Sequence, residues 1–336
     1  MAIGDRDDPA VLPAVTRLAS RGSPEVRIVA VGILERRGDL ETLPVLLNAA
    51  VAPNQELAET AQLALARFGG SEIDTALVTR LDSAEGKLRQ VLIELAGLRG
   101  IERVVPKVVV YTEDPDPGIR RASLATLGAL GTTAQVPALV RLLPEASSPR
   151  DRADLEKALV AIAGREGSVA VSALLPLLGA EAKTARIVGL HALGAAGGAE
   201  ALAAVIKTIE DAEETVQDEA VRTLVSWSST WPGDSGVAEP LLALANAGRK
   251  NSHRVQGLRG YLQYLREDRA IDSTRKMSAV ESVMPLIQRP DEKRLVISVL
   301  STIPTADSLE LLMSFAGDSA TTEEACLAIV NIASGP

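Results

Sequence analysis

Aromatic side chains are almost missing from this sequence: two Trp, three Tyr and two Phe in 336 residues. Any interior must therefore be built from Ala, Leu and Val, and with hydrophobic residues at 46% the material for one is present. Cysteine occurs once, at Cys326, which excludes an internal disulfide framework and a cysteine zinc cluster. Its apolar neighbours on a predicted final helix place that thiol in the interior. Histidine occurs twice, at His191 and His253, in no H-x-x-H, H-E-x-x-H or E-x-x-H arrangement, so no metal site and no cofactor is expected. There is no G-x-S-x-G for a serine nucleophile. The run GALGTTAQ at 128–135 lacks the Gly-Lys-Ser/Thr ending of a phosphate loop.

No stretch is expected to cross a membrane, and the opening MAIGDRDDPA carries no apolar run of signal-peptide kind. The expectation is a cytoplasmic protein, with an excised domain of an exported protein as the alternative. Basic residues are outnumbered 35 to 44, a net charge of −9, which argues against nucleic acid as a partner.

What the chain does contain is a repeat. Residues 101–131, IERVVPKVVVYTEDPDPGIRRASLATLGALG, read as a helix, an Asp/Pro turn, a second helix and a closing glycine. Val104, Val105, Val108 and Val109 fall at helical spacing. Pro106 sits early in its helix, where a missing N–H costs little. Asp116 suits an N-cap and Pro117 a first helical position. Residues 121, 125 and 129 are four apart and are expected to face outward. The closing glycine recurs as Gly38, Gly69, Gly100, Gly131, Gly164 and Gly197, the early Pro as Pro13, Pro44 and Pro137, and Arg120 as Arg27, Arg89 and Arg186, with Ala58 in its place in the second copy. Three columns share one period of 31 residues, lengthening to 33. One such hairpin cannot bury its own apolar stripe, but stacked copies can.

This pattern resembles the HEAT repeat, in the short form seen in bacterial HEAT-like arrays, from about Pro9 to Ala333. The resemblance implies an all-α fold, a right-handed α-solenoid (superhelix) of about ten HEAT-like hairpins. The whole of 1–336 then forms one array, with regular repeats over 9–227, looser repeats over 236–333 and connectors at 228–236 and 267–276. It also implies an Asp in the turn paired with the Arg of the second helix. Asp114 and Arg120 fit that spacing, and the other copies lack the Asp. The C-terminal part, with LRGYLQYL, RPDEKRLVISVL and EEACLAIVNIA, is similar to the HEAT segments of large bacterial multidomain proteins, which implies a neighbouring domain. The last hairpin is expected to cap the array.

Registering the second helices by their apolar positions gives an outward column of Gly32, Leu63, Glu94, Ala125, Ala158, His191, Arg222, Arg259 and Ser298. It turns from small or apolar to basic at His191, Arg222 and Arg259. With Trp227, Tyr261 and Tyr264 nearby, these are the candidate partner-binding residues: a positively charged groove for an acidic peptide, a carboxylate or a phosphate. The alternative is an ordinary solvated surface. The pairs Glu213-Glu214 and Asp291-Glu292 read as acidic openings of helices. Trp231, in the connector SSTWPGDSG, either anchors a partner or folds back over adjacent helix ends.

The expected function is that of a monomeric, non-catalytic scaffold for a protein partner or a neighbouring domain. The alternative, by family resemblance, is a HEAT-like enzyme of the DNA glycosylase or chromophore lyase kind. The acidic balance and the seven aromatics speak against it.

Overall fold

The computed structural model describes residues 11–146 and 148–334. The expected polar lead and the first two residues of the first predicted helix, Pro9 and Ala10, lie outside the described residues. Among the described residues there is no strand. The chain divides into two compact units, Met1–Ile162 and Ala163–Pro336, with the division falling inside one helix.

In the first unit the hairpins are α1 (Val11–Arg21) with α2 (Pro24–Arg37), α3 (Leu43–Ala50) with α4 (Gln55–Arg67), α5 (Ser71–Leu81) with α6 (Gly86–Leu98), α7 (Val105–Tyr111) with α8 (Pro117–Leu130), and α9 (Val136–Leu142) with α10 (Pro149–Glu166). In the second they are α11 (Val171–Leu174) with α12 (Lys183–Ala196), α13 (Ala199–Thr208) with α14 (Glu214–Thr230), α15 (Ala238–Ala247) with α16 (Asn251–Glu267), α17 (Ser273–Val283) with α18 (Pro290–Leu300), and α19 (Ala306–Ala316) with α20 (Thr322–Ala333). Within each unit second helices pack on their first helices and on neighbouring second helices: α2 on α4 and α6 on α8 in one unit, α12 on α14, α14 on α16 and α16 on α18 in the other. The cores between them are aliphatic, as the composition requires.

Local chemistry explains where the helices start. Pro44, Pro106 and Pro137 stand in the first turn of α3, α7 and α9, where the backbone N–H groups have no intrahelical acceptor. The Asp116 side chain accepts the Gly118 N–H at 2.7 Å and Pro117 opens α8. Residues 121, 125 and 129 are exposed on α8, as their spacing predicts. Gly164 departs from the expected pattern: it lies inside α10, which runs on to Glu166. One run, Pro149–Gly179, is after all long and apolar enough by composition to cross a membrane. Here it is broken at Gly167, with φ +62°, into α10 and a short helical segment whose Ala170, Val171 and Leu174 are buried. On α20, Leu327 and Val330 are 61% and 57% exposed, and Cys326, expected inside, is exposed as well.

A polar clamp ties the hairpins together. The fourth residue of the second helix reaches back to the carbonyls of its own turn. Arg120 Nη1 donates to the Asp114 and Pro115 oxygens (3.0 and 3.1 Å), Arg152 Nη1 to Ala146 (2.9 Å), Arg186 Nη1 to Ala180 and Glu181 (2.7 and 3.0 Å), and Gln217 Nε2 to Asp211 (2.6 Å). Cations at this same fourth position also reach forward to a carboxylate of the next hairpin: Arg89 to Asp114 (3.2 Å), Arg120 to Asp151 (3.2 Å), Arg186 to Asp211 (3.1 Å) and Lys293 to Asp318 (2.5 Å). In three of the four the Asp stands 25 residues after its cation. That Asp also closes its own turn, accepting the N–H two residues on: Asp116 for Asp114, Glu213 for Asp211 and Ala320 for Asp318. The expected side-chain pair within one hairpin, Asp114 with Arg120, is therefore corrected. Arg120 binds the main chain of Asp114, whose carboxylate belongs to Arg89 of the preceding hairpin.

Arg186→Ala should cost about 2–3 kcal/mol of the second unit's stability, because two turn carbonyls and a partly buried carboxylate lose a charged donor; urea unfolding measures it. Acid should act through the same contacts. Hydrogen bonds from Ser148 and then Arg120 hold the Asp151 carboxyl below the usual range, and Lys293 does the same for Asp318. Their contribution is complete above the unfolded carboxylate range near pH ~4 and is lost progressively as pH falls from there through the lowered values of the folded state. Urea midpoints should accordingly drop between neutral pH and about pH 3.5.

Candidate functional site

The ninth residue of each second helix forms the outward column, and the helix starts fix its register: Gly32, Leu63, Glu94, Ala125, Lys157, His191, Arg222, Arg259, Ser298 and Val330. One member of the sequence-derived column is displaced. Ala158 is buried, at 2% exposure, and the exposed Lys157 takes its place. The two extra residues in that repeat shifted the alignment by one.

His191 on α12 and Arg222 on α14 are brought together by a residue that the sequence reading missed, Glu219. Its Oε1 lies 3.0 Å from His191 Nε2, and its Oε2 accepts from Arg222 Nη1. Glu219 and Arg222 are three apart on one helix face, a spacing that could have been read. Around them the two helices leave an open groove of about 410 Å³. Gly194 and Ala195 form its α12 wall beside His191; Glu219, Ser226 and Thr230 line its α14 wall. The small side chains on α12 create the space. The groove is not the purely cationic one expected, since one carboxylate sits between the imidazole and the guanidinium. Arg222 nonetheless keeps 62% of its side chain exposed.

Arg259 does not join this groove. It occupies the same register position on α16 and pairs instead with Asp291 at the start of α18. Asp291 therefore bridges hairpins, whereas its neighbour Glu292 caps, its Oε2 accepting the Gln288 and Arg289 N–H groups at 3.0 and 2.9 Å. The three aromatic candidates belong to the core. Trp227 is 1% exposed and its indole N–H donates to Asp234 at 2.9 Å. Tyr261 and Tyr264 are 7% and 5% exposed, with ring centroids 6.4 Å apart. Burial, with help from a hydrogen bond to Asp268, pushes the Tyr264 hydroxyl up to about 12. Their spacing on α16 follows its inner side, so they pack where the sequence reading had offered them to a partner. Trp231 folds back: its indole N–H donates to the Gly194 oxygen at 2.8 Å. His253 is buried, with Nε2 2.7 Å from Asp218, which also accepts from Lys250 at 2.6 Å.

Comparisons with known proteins agree with this fold. A family model described as HEAT repeats matches residues 1–70 and 74–160. No curated protein matches the chain in sequence. Among solved structures, the karyopherin Kap121p bound to the extreme C-terminus of the protein phosphatase Cdc14p is 12% identical, with a TM-score of 0.59 over 97% of this chain and 42% of that one. Importin beta is 14% identical, with a TM-score of 0.52 over 98% of this chain and 52% of that one. At these identities the likeness is one of fold, and the chain spans about half, or less, of the length of either structure.

Gly197 ends α12 with φ +68°, and a Cβ built there would lie 2.3 Å from the Trp231 indole. Gly197→Ala should cost about 1–3 kcal/mol and shift tryptophan emission to the red. In a Trp231→Ala background only the backbone part of that cost should remain, which a double-mutant cycle in urea resolves.

Proposed function

We propose that this chain, which carries HEAT repeats and folds as an α-solenoid, is a non-catalytic scaffold whose ligand is a protein segment or a neighbouring domain. The observation that carries the reading is structural. Stacking uses one side of each second helix and leaves the ninth-position column uncovered, and between α12 and α14 that column opens into a groove. Repeats of this kind offer a ligand regularly spaced helices within a unit. A structural relative is solved with the extreme C-terminus of a protein phosphatase bound to it, a precedent for a scaffold of this fold receiving a peptide end.

In the α12–α14 groove an acidic side chain or chain terminus would compete with Glu219 for Arg222. The guanidinium spends one nitrogen on Glu219, and its exposed edge can take a second carboxylate in the paired geometry that arginine favours. His191 would then follow Glu219 or contact the ligand. Ser226 and Thr230 line the adjacent wall, with the buried Trp227 behind it.

The test is affinity capture from extract followed by titration of the captured protein. Arg222→Ala should weaken its binding roughly tenfold, while Arg259→Ala, which disturbs only the pair with Asp291, should leave it near the wild-type value. Equal binding by a folded Arg222→Ala variant would remove the groove from the interface. Failure to find any saturable protein ligand would remove the scaffold role.

A further inference from the structure

A different seam of the second unit carries the opposite charge. Between the first helices α17 and α19 lies an open groove of about 520 Å³. Its floor is apolar and flexible, made by Met277, Met284 and Leu311. Its rim holds three carboxylates, Glu281, Asp307 and Glu310, all exposed.

Two features bear on what this groove can bind. The first is that its lining holds no cation. Several carboxylates on and beside the second helices of this unit are matched: Asp211 with Arg186, Glu219 with Arg222, Asp291 with Arg259, Asp318 with Lys293, Glu324 with Arg294. Glu281, Asp307 and Glu310 form no ion pair among the described residues. Asp307 stands in the first turn of α19, where the helix dipole accounts for one negative charge, but Glu281 and Glu310 stand further along their helices. The second feature is spacing. No group of three acidic or histidine side chains among the described residues is placed to hold a metal ion, so a single cation cannot satisfy this rim. Neutralising it takes several positive charges set apart from one another, with something apolar between them to cover the methionines.

We propose that the α17–α19 groove binds a basic amphipathic segment of a protein partner, its Lys or Arg side chains facing Glu281, Asp307 and Glu310 and an apolar side chain seated on Met277, Met284 and Leu311. Charge complementarity selects this occupant. A nucleic acid or an anionic membrane surface would be repelled by the rim, and an acidic peptide likewise. Thioether side chains suit the floor because they repack around differing apolar anchors. The site is separate from the α12–α14 groove and shares with it only the scaffold reading.

The probe is a fluorescein-labelled synthetic helix with leucines on one face and lysines on the other, and its counterpart with glutamates in place of the lysines. Anisotropy with the full chain should show saturable binding of the basic helix and none of the acidic one. The affinity should fall at least tenfold between about 0.05 M and about 0.5 M salt. The variant Glu281→Lys/Asp307→Lys/Glu310→Lys should lose at least tenfold. A control with the same change in net charge elsewhere, Glu56→Lys/Glu59→Lys/Glu72→Lys, should lose less than threefold. If the first variant does not fold, Glu281→Gln/Glu310→Gln replaces it, with the same direction expected. Equal losses in test and control variants would mean that only overall charge attracts the helix, and no binding by the wild-type chain would remove the site. Arg222→Ala should leave this binding unchanged, so failure here is distinguishable from failure of the α12–α14 groove.

Discussion

A helical hairpin with a single apolar stripe cannot bury it alone, and everything in this chain follows from the way its neighbours supply the missing wall. Second helices stack on second helices, and because aromatic residues are so scarce the contact is made by Ala, Leu, Val and Gly at short range. Hydrophobic stacking sets no register by itself, since aliphatic surfaces slide. The polar clamp supplies it. A guanidinium that holds its own turn and then the aspartate of the next hairpin works only at one offset. The aspartate is useful twice, closing a turn and receiving the cation, and the same 25-residue spacing serves three of the four pairs, in both units.

Repetition of this kind leaves the outward positions free of structural duty, and their chemistry is where the repeats differ. In the second unit most outward charges are spent on neighbours: His191 and Arg222 share Glu219, and Arg259 takes Asp291. Such exposed pairs contribute little to stability. Their effect is on recognition, because each pair can be opened by a ligand that offers a better partner. The α17–α19 seam combines carboxylates that form no ion pair among the described residues with methionines beside them. One scaffold thus presents two grooves of different sign on different helix layers, the first on second helices and the other on first helices.

The conformational punctuation is equally local. Gly197 permits a left-handed residue at the end of α12, and the space where its side chain would stand is filled by Trp231. The connector after α14 is in this way folded against the end of α12, and Trp227, Tyr261 and Tyr264 are consumed by the interior.

The sequence by itself determined the all-α class, the hairpin unit, its period and most helix starts, because these rest on contacts within about thirty residues and on backbone chemistry that Pro, Asp and Gly announce directly. It also named His191 and Arg222 as neighbours, since a helical column survives translation from one repeat to the next. Only the tertiary structure decided which charges remain available. Glu219 between His191 and Arg222, Asp291 on Arg259, Lys157 in place of Ala158, the exposed Cys326 and the unpaired rim of Glu281, Asp307 and Glu310 all depend on which side chain of one hairpin meets which of another. Periodicity gives the facing of a residue, but an ion pair or a buried ring is set by its opposite number across the seam, and a shift of one residue in a loop is enough to change that partner.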